Sequence, residues 1–331
     1  MVKLYQNIKI PGKKLLYEGV GRKDSAFWNE GKWNNFIDPL LPRYCQGKTF
    51  VEIGSSAGMF LKMAENKGFK HVIGIEANPD RIGEAKLYKK SNGGNYKLLH
   101  KRMDQAFDFN SLPLAHVTLI ANTHYYLSVI NFSRVVDSLR SRSLYCLIVG
   151  AKARRIPGCA RYDLKSVRGY FKDWQEVGAI SNLKTEGDPS PREKMYGVLF
   201  KGALREYNTK ELYTRWREGN IESGKFRKDA IPDALDDFYK KVLLQEGSDL
   251  KDTAYYEYWK KRRPDQAEGW IMRKLGQKAR LAKSIRKNGM FSPIYLSETN
   301  WRYSGGKLID GQHRLCIANT LGHKTILVRT L

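Results

Sequence analysis

Short apolar runs alternate with amphipathic stretches through the first two thirds of the chain. Residues 50–53, 72–76, 96–100, 117–121, 144–149 and 195–200 read as strands. Helical spacing fills the intervals, clearest at 79–90 and 132–140. This alternation predicts a mostly parallel sheet with helices on both faces. Before it, residues 1–45 are aromatic and basic, and Trp28, Trp33 and Phe36 predict a short helical lead-in that packs over the sheet. From 205 to 290 the pattern changes to charged segments of helical period without an obvious strand. Ile231-Pro232-Asp233 reads as a helix start, followed by Leu235, Phe238, Tyr239, Val242 and Leu243 at helical spacing. The tail returns to mixed signals: a helix at 278–287, strands at 293–296 and 307–309, a helix at 314–320 and a last strand at 325–329.

The first strand runs into a turn of small residues, Gly54-Ser55-Ser56-Ala57-Gly58. A helix pattern follows, with Phe60, Leu61, Met63 and Ala64 on its buried side. The second strand then ends on an acid, Glu76. Small residues let a backbone approach a ligand and leave helix amides available to it. An acid at the tip of the next strand is placed to accept hydrogen bonds from a ribose diol. These features describe a nucleoside-binding β-α-β unit. The dinucleotide fingerprint G-x-G-x-x-G is absent, because three residues separate Gly54 from Gly58.

Charge narrows the choice of partner. The 331 residues carry a net charge of +25. The excess of Lys and Arg over Asp and Glu is 14 in residues 1–200, 8 in 201–290 and 3 in 291–331. Basicity spread in this way favours a polyanionic partner or anionic substrates. In the segment YYEYWKKRRP, residues 255–264, four aromatics stand beside four basic residues. That composition suits phosphates and stacked bases, and equally a helix with a buried aromatic face and a solvated charged face. Cys45, Cys146, Cys159 and Cys316 form no C-x-x-C pair, so no metal site or disulfide framework is expected. No apolar run approaches a membrane span, and the expectation is a soluble, cytoplasmic chain without membrane partners.

Residues 48–202 resemble a class I S-adenosylmethionine-dependent methyltransferase. That family's first motif is an acid, one residue, a glycine, three residues and a second glycine, matched here by Glu52, Gly54 and Gly58. The resemblance implies a Rossmann-like, mostly parallel sheet and S-adenosyl-L-methionine as cofactor, with Ser55 and Ala57 in the binding turn. It places Glu76 on the adenosine ribose, Asp104 near the adenine amino group and Asn122 in the substrate-facing loop. Asn122-Thr123-His124-Tyr125-Tyr126 departs from the N-P-P-[YFW] motif of enzymes that methylate base amino groups. It is closer to loops of enzymes acting on carboxylates, hydroxyls or small acceptors, where His124 would be the general base.

Residues 278–331 resemble the ParB/sulfiredoxin-type fold, a small α+β domain. Asp310-Gly311-Gln312-His313-Arg314 fills its D-G-x-H-R slot at the start of a helix. In that family the element binds nucleotide phosphates or serves DNA-associated roles, and members include phage proteins. Gln312 stands where sulfiredoxin chemistry needs a cysteine, so peroxiredoxin repair is not implied.

The domain reading is therefore a methyltransferase-like domain at 1–204, a basic helical connector at 205–277 and a ParB/sulfiredoxin-like domain at 278–331. The function read from it is methylation of a nucleic acid, nucleotide or other phosphate-bearing acceptor, with the tail binding phosphate or nucleic acid. Two alternatives stand beside it. One is a phosphotransferase or hydrolase using ATP or CTP in the tail. The other is a non-catalytic nucleic-acid-binding protein.

Overall fold

The computed structural model describes residues 25–103, 108, 111–151, 163–183, 195–222, 231–245, 247–290, 292–296 and 308–330. The chain divides into two compact units, Met1–Ala203 and Leu204–Leu331.

The first unit is built on a seven-stranded sheet. Its strands are β1 (Thr49–Ile53), β2 (His71–Glu76), β3 (Lys97–His100), β4 (Ala115–Ala121), β5 (Ser143–Ala151), β6 (Gln175–Leu183) and β7 (Met195–Lys201). Their order is β3-β2-β1-β4-β5-β7-β6. The first five in that order pair in parallel, and β7 runs antiparallel to both β5 and β6. The sheet is thus α/β and mostly parallel, as the alternation predicts.

Every residue of β1 is buried, as befits a strand covered on both faces. Its alternation serves two cores. Val51 and Ile53 pack with Ile73, Ile75, Phe132 and Val136. Phe50, on the opposite face, packs with Phe60, Leu61, Val72 and the lead-in residues Trp33 and Phe36. The lead-in helix is α1 (Ser25–Lys32). Among the described residues four further helices cover the sheet: α2 (Met59–Asn66), α3 (Pro79–Ser91), α4 (Val129–Leu139) and α5 (Leu164–Tyr170). Local chemistry sets where they start. The Asn78 side chain accepts from the Asp80 amide at 2.8 Å with Pro79 in the first turn of α3, and Ser128 Oγ accepts from the Asn131 amide of α4 at 3.2 Å.

The second unit combines helices with a mixed sheet. Its elements are β8 (Arg205–Asn208), α6 (Thr209–Glu222), α7 (Ile231–Leu244), α8 (Ala254–Arg262), α9 (Glu268–Asn288), β9 (Ile294–Leu296), β10 (Leu308–Asp310), α10 (Gln312–Thr320) and β11 (Thr325–Thr330). The strand order is β10-β9-β11-β8. Residues 205–208, which carry no strand signal in the sequence, pair antiparallel with β11 from Arg205↔Val328 to Asn208↔Thr325. The junction drawn at 277/278 falls inside the 21-residue α9. Helical and strand segments close over one core, in which Leu235, Phe238 and Leu275 meet Ile294, Leu315 and Val328. Of the described helices, none is long and apolar enough to cross a membrane.

Candidate functional site

In the first unit the chain crosses from β1 to β2 on one side, while β4 lies on the other side of β1. The connections after β1 and β4 therefore diverge, leaving a crevice at the carboxyl ends of the strands. Open α/β sheets bind ligands at such a switch point. The turn 54–58 and the loop that begins at Asn122 both stand there.

The turn is held by its backbone. The amides of Gly54 and Ser55 donate to the Ile75 carbonyl at 2.7 and 3.1 Å, and the Gly58 amide donates to the Ser55 carbonyl at 2.8 Å. Gly54 has φ +77°, and a Cβ there would fall 2.0 Å from Thr123 Oγ1. Two non-glycine residues in the crevice also have left-handed backbones, Ser56 (φ 46°) and Asn122 (φ 57°). Such conformations in short-chain residues concentrate where surrounding structure over-determines them.

Glu76 closes one side. Its Oε2 accepts from the Ser56 amide at 2.8 Å, and its Oε1 accepts from the Ala77 and Asn78 amides at 2.9 and 2.8 Å. Three backbone donors fix the carboxylate at the tip of β2. Glu52 lies deeper, 2 % exposed. Gly74 is its register partner on β2, and a Cβ there would meet Leu61 and Ser55, so Gly74 gives those side chains their room. The glycine motif drew attention to 54 and 58 and not to 74, since an isolated strand glycine is a weak signal.

Among the described residues, three buried polar atoms around this crevice have no hydrogen-bond partner: Glu52 Oε2, Ser55 Oγ and Asn122 Oδ1. Buried polar atoms are normally paired, and leaving one unpaired costs about 1–3 kcal/mol. Burial pushes the Glu52 carboxyl well above the usual carboxylate range, and the Glu76 charge pushes it further.

The structure brings Glu52, Gly54, Ser55, Ala57, Gly58, Glu76 and Asn122 to one end of the sheet. Asp104 lies outside the described residues. His124, later in the same loop, is fully buried. Its Nε2 is 3.2 Å from the Tyr196 hydroxyl, and its ring packs against Tyr125 and Phe132. Burial pushes its pKa down to about 3. A ring held neutral in this way is a weak proton acceptor.

A cavity of about 550 Å³ lies in the second unit between α9, β10 and the start of α10. Its polar lining comes from Lys278, Ser284, Ser292, Asp310, Gln312 and Arg314. Arg314 is paired with Asp310 at 2.6 Å. Gly311 caps α10 with φ +108°, and a Cβ there would press on Ile294. His313 also lines the cavity, and its Nδ1 is 2.7 Å from the Tyr239 hydroxyl. Burial, with Lys278 and Arg314 nearby, pushes its pKa down to about 3. Lys278 and Ser284 were missed by motif reading, because they arrive from the helix before the D-G-x-H-R slot.

The two histidines carry a pH expectation. Their folded pKa values lie below the ordinary 6.5, so between those limits the unfolded chain binds protons that the folded chain refuses. Their contribution to stability is present above pH 6.5 and is lost as pH falls towards 3. Thermal melts over that range should show His124→Asn with a shallower acid loss than wild type. An unchanged slope would contradict the burial argument.

No protein-family model and no curated protein sequence matches the chain. Similar solved structures cover about half of it. The PH0226 protein from Pyrococcus horikoshii OT3 is 12 % identical with a TM-score of 0.44, over 55 % of this chain and 94 % of that one. The magnesium protoporphyrin IX methyltransferase ChlM from Synechocystis PCC 6803, with bound SAH, is 12 % identical with a TM-score of 0.43, over 56 % and 90 %. A SAM-dependent methyltransferase from Aquifex aeolicus is 17 % identical with a TM-score of 0.39, over 54 % and 98 %.

Proposed function

We propose that the first unit is an S-adenosylmethionine-dependent methyltransferase. The observation that carries this reading is the trio of unpartnered buried atoms, Glu52 Oε2, Ser55 Oγ and Asn122 Oδ1, around the turn at the switch point. A carboxyl, a hydroxyl and an amide oxygen suit a ligand that bears a cationic sulfur, an ammonium group and hydroxyls. When bound, S-adenosylmethionine supplies an electrophilic methyl group. An arriving cation would favour the charged form of Glu52, since an opposite charge lowers a carboxyl pKa that burial raises. Glu76, fixed by three amides, accepts from the ribose hydroxyls. Gly54 and Gly58 let the binding turn pack against Thr123 and Tyr96, and Asn122 faces the reacting end. The residues then hold cofactor and acceptor in line, which supplies much of the rate. His124 is too deeply enclosed to take the acceptor's proton in this conformation, so the reading favours an acceptor that needs no strong base. The positive charge of the chain favours a nucleic acid, a nucleotide or another phosphate-bearing acceptor.

Glu76→Ala is expected to weaken S-adenosylhomocysteine binding by about 1–3 kcal/mol, the range for a lost hydrogen bond to a charged group. Isothermal titration of both proteins checks this, and equal affinities would remove Glu76 from the site.

The cavity of the second unit supports a second reading, a site for a phosphate-bearing group. Lys278 and Arg314 offer cations, and Ser284, Ser292 and Gln312 offer neutral donors. Asp310, Gly311 and His313 shape the wall beside them. Separate thermal-shift titrations with S-adenosylhomocysteine, ATP and CTP distinguish the readings. A shift with a nucleotide and none with S-adenosylhomocysteine would favour a phosphotransferase or hydrolase over a methyltransferase.

A further inference from the structure

The second unit carries a basic and aromatic surface across α8 and α9 that runs up to the cavity. Residues 254–288 hold eleven Lys and Arg against three Asp and Glu. Phe238 and Tyr239 of the same core are fully buried, whereas Tyr258, Trp259 and Trp270 keep part of their surface in solvent. These rings pack edge to face, Tyr258 with Trp259 at 5.7 Å and Trp259 with Trp270 at 5.6 Å. Cations stand against them. Lys274 Nζ lies 5.6 Å from the Trp270 ring and the Arg262 guanidinium 5.9 Å from that of Tyr258.

The spacing along α9 joins this rim to the cavity. Trp270, Lys274 and Lys278 recur every four residues and share one helix face. Leu281 and Ile285 continue that face into the cavity lining. The path from Trp270 to Lys278 is about 12 Å long at the helical rise. It leads from an aromatic ring, past two cations, to Arg314. Burial and the neighbouring Lys274 lower the Lys278 pKa, with Arg314 adding to this and Asp310 opposing it. Among the described residues, three cations stand at this end of the face against the one acid Asp310. The cations thus stand beside indoles that pack on the core yet keep an edge in solvent.

We infer that this face of α9 binds single-stranded nucleic acid, with a base against Trp270 and backbone phosphates beside Lys274 and Lys278. The inference rests on the phosphate reading of the cavity, which would receive the next phosphate along the strand. It does not depend on methyl transfer in the first unit. A single strand fits better than a duplex, because only unstacked bases present a face to an aromatic side chain.

Fluorescence anisotropy with the full chain tests this. The probes are a labelled oligo-dT, an abasic strand of the same length, a duplex and inorganic polyphosphate. Oligo-dT is expected to bind with salt-dependent affinity, about tenfold more tightly than the abasic strand, in keeping with stacking of one base. Trp270→Ala is expected to remove that difference and Trp270→Phe to keep most of it. Lys274→Gln, at an exposed position, is expected to weaken binding and reduce the salt slope by about 0.7, whatever Trp270→Ala does to folding. Equal affinity for abasic strand or polyphosphate would overturn the inference in favour of charge alone, and tighter duplex binding would overturn the single-strand assignment. Inorganic pyrophosphate tests the cavity separately. If it binds and Arg314→Ala abolishes that binding, the phosphate reading survives failure of the oligonucleotide arms. No pyrophosphate binding beside base-dependent oligonucleotide binding would overturn the cavity's part.

Discussion

Gly54→Ala is expected to destabilise the first unit by about 2–5 kcal/mol and to abolish S-adenosylhomocysteine binding. Two costs combine. The left-handed backbone, φ +77°, costs a residue with a Cβ roughly 1–2 kcal/mol. The new methyl would also fall 2.0 Å from Thr123 Oγ1, 2.3 Å from Cγ2 and 2.6 Å from Cβ, and overpacking costs typically about 1–3 kcal/mol. Thr123 cannot simply turn away, since its own Cβ is one of the atoms struck. Gly47 isolates the first cost, because it has φ +76° and nothing within 4 Å of a built Cβ. Denaturant melts should therefore show Gly47→Ala with only the backbone loss. Gly54→Ala combined with Thr123→Gly should recover the steric part, a coupling between neighbours that a double-mutant cycle reads directly. Equal losses at 47 and 54 would contradict the close approach of the two loops.

Glu52→Gln is expected to move stability and ligand affinity in opposite directions. The folded carboxyl has a pKa well above the ordinary 4.5, so over the interval between the two values the folded chain holds a proton that the unfolded chain has lost. The stability contributed by that proton is complete below pH 4.5 and disappears as pH rises through the folded value. Above it the ligand-free protein must bury a charge. Glutamine removes that cost, so the variant should melt higher than wild type at pH 8 and equally near pH 4. The same change deletes the charge offered to a cationic ligand, and S-adenosylmethionine should bind more weakly. The demethylated S-adenosylhomocysteine, which lacks the sulfonium charge, should lose less if Glu52 faces the sulfur. A variant that melts lower at pH 8 would mean that the carboxylate already has a partner.

Much of the first unit was legible in its strands. Parallel strands covered on both faces are continuous apolar runs, and residues 50–53 and 117–121 stand out for that reason. Strand β6 did not, because it is an edge strand whose register shifts twice, between Glu176 and Gly178 and between Ser181 and Leu183. Those shifts break the alternation that reveals a half-buried strand, and Val177 is exposed. Strand β8 is only four residues long and half-buried, so its pattern is dominated by the charges of Arg205 and Glu206. The turn at 54–58 and the acid at 76 could be read because local backbone demands specify them. The burial of His124 could not. It depends on Tyr196, 72 residues away, and nothing near position 124 records that contact. The same limit hid Gly74, whose role appears only once β2 is laid beside β1. In the second unit the D-G-x-H-R slot showed one wall of a cavity, while Lys278 and Ser284 on the other wall lie on a helix whose period looks like any amphipathic surface.

Calorimetric titration of S-adenosylhomocysteine into the full chain, beside Gly54→Ala and Arg314→Ala, tests the central claim most directly. Binding at one site per chain is expected in wild type, lost in Gly54→Ala and unchanged in Arg314→Ala. No binding to wild type, or loss in Arg314→Ala with retention in Gly54→Ala, would contradict a cofactor site at the switch point of the first sheet.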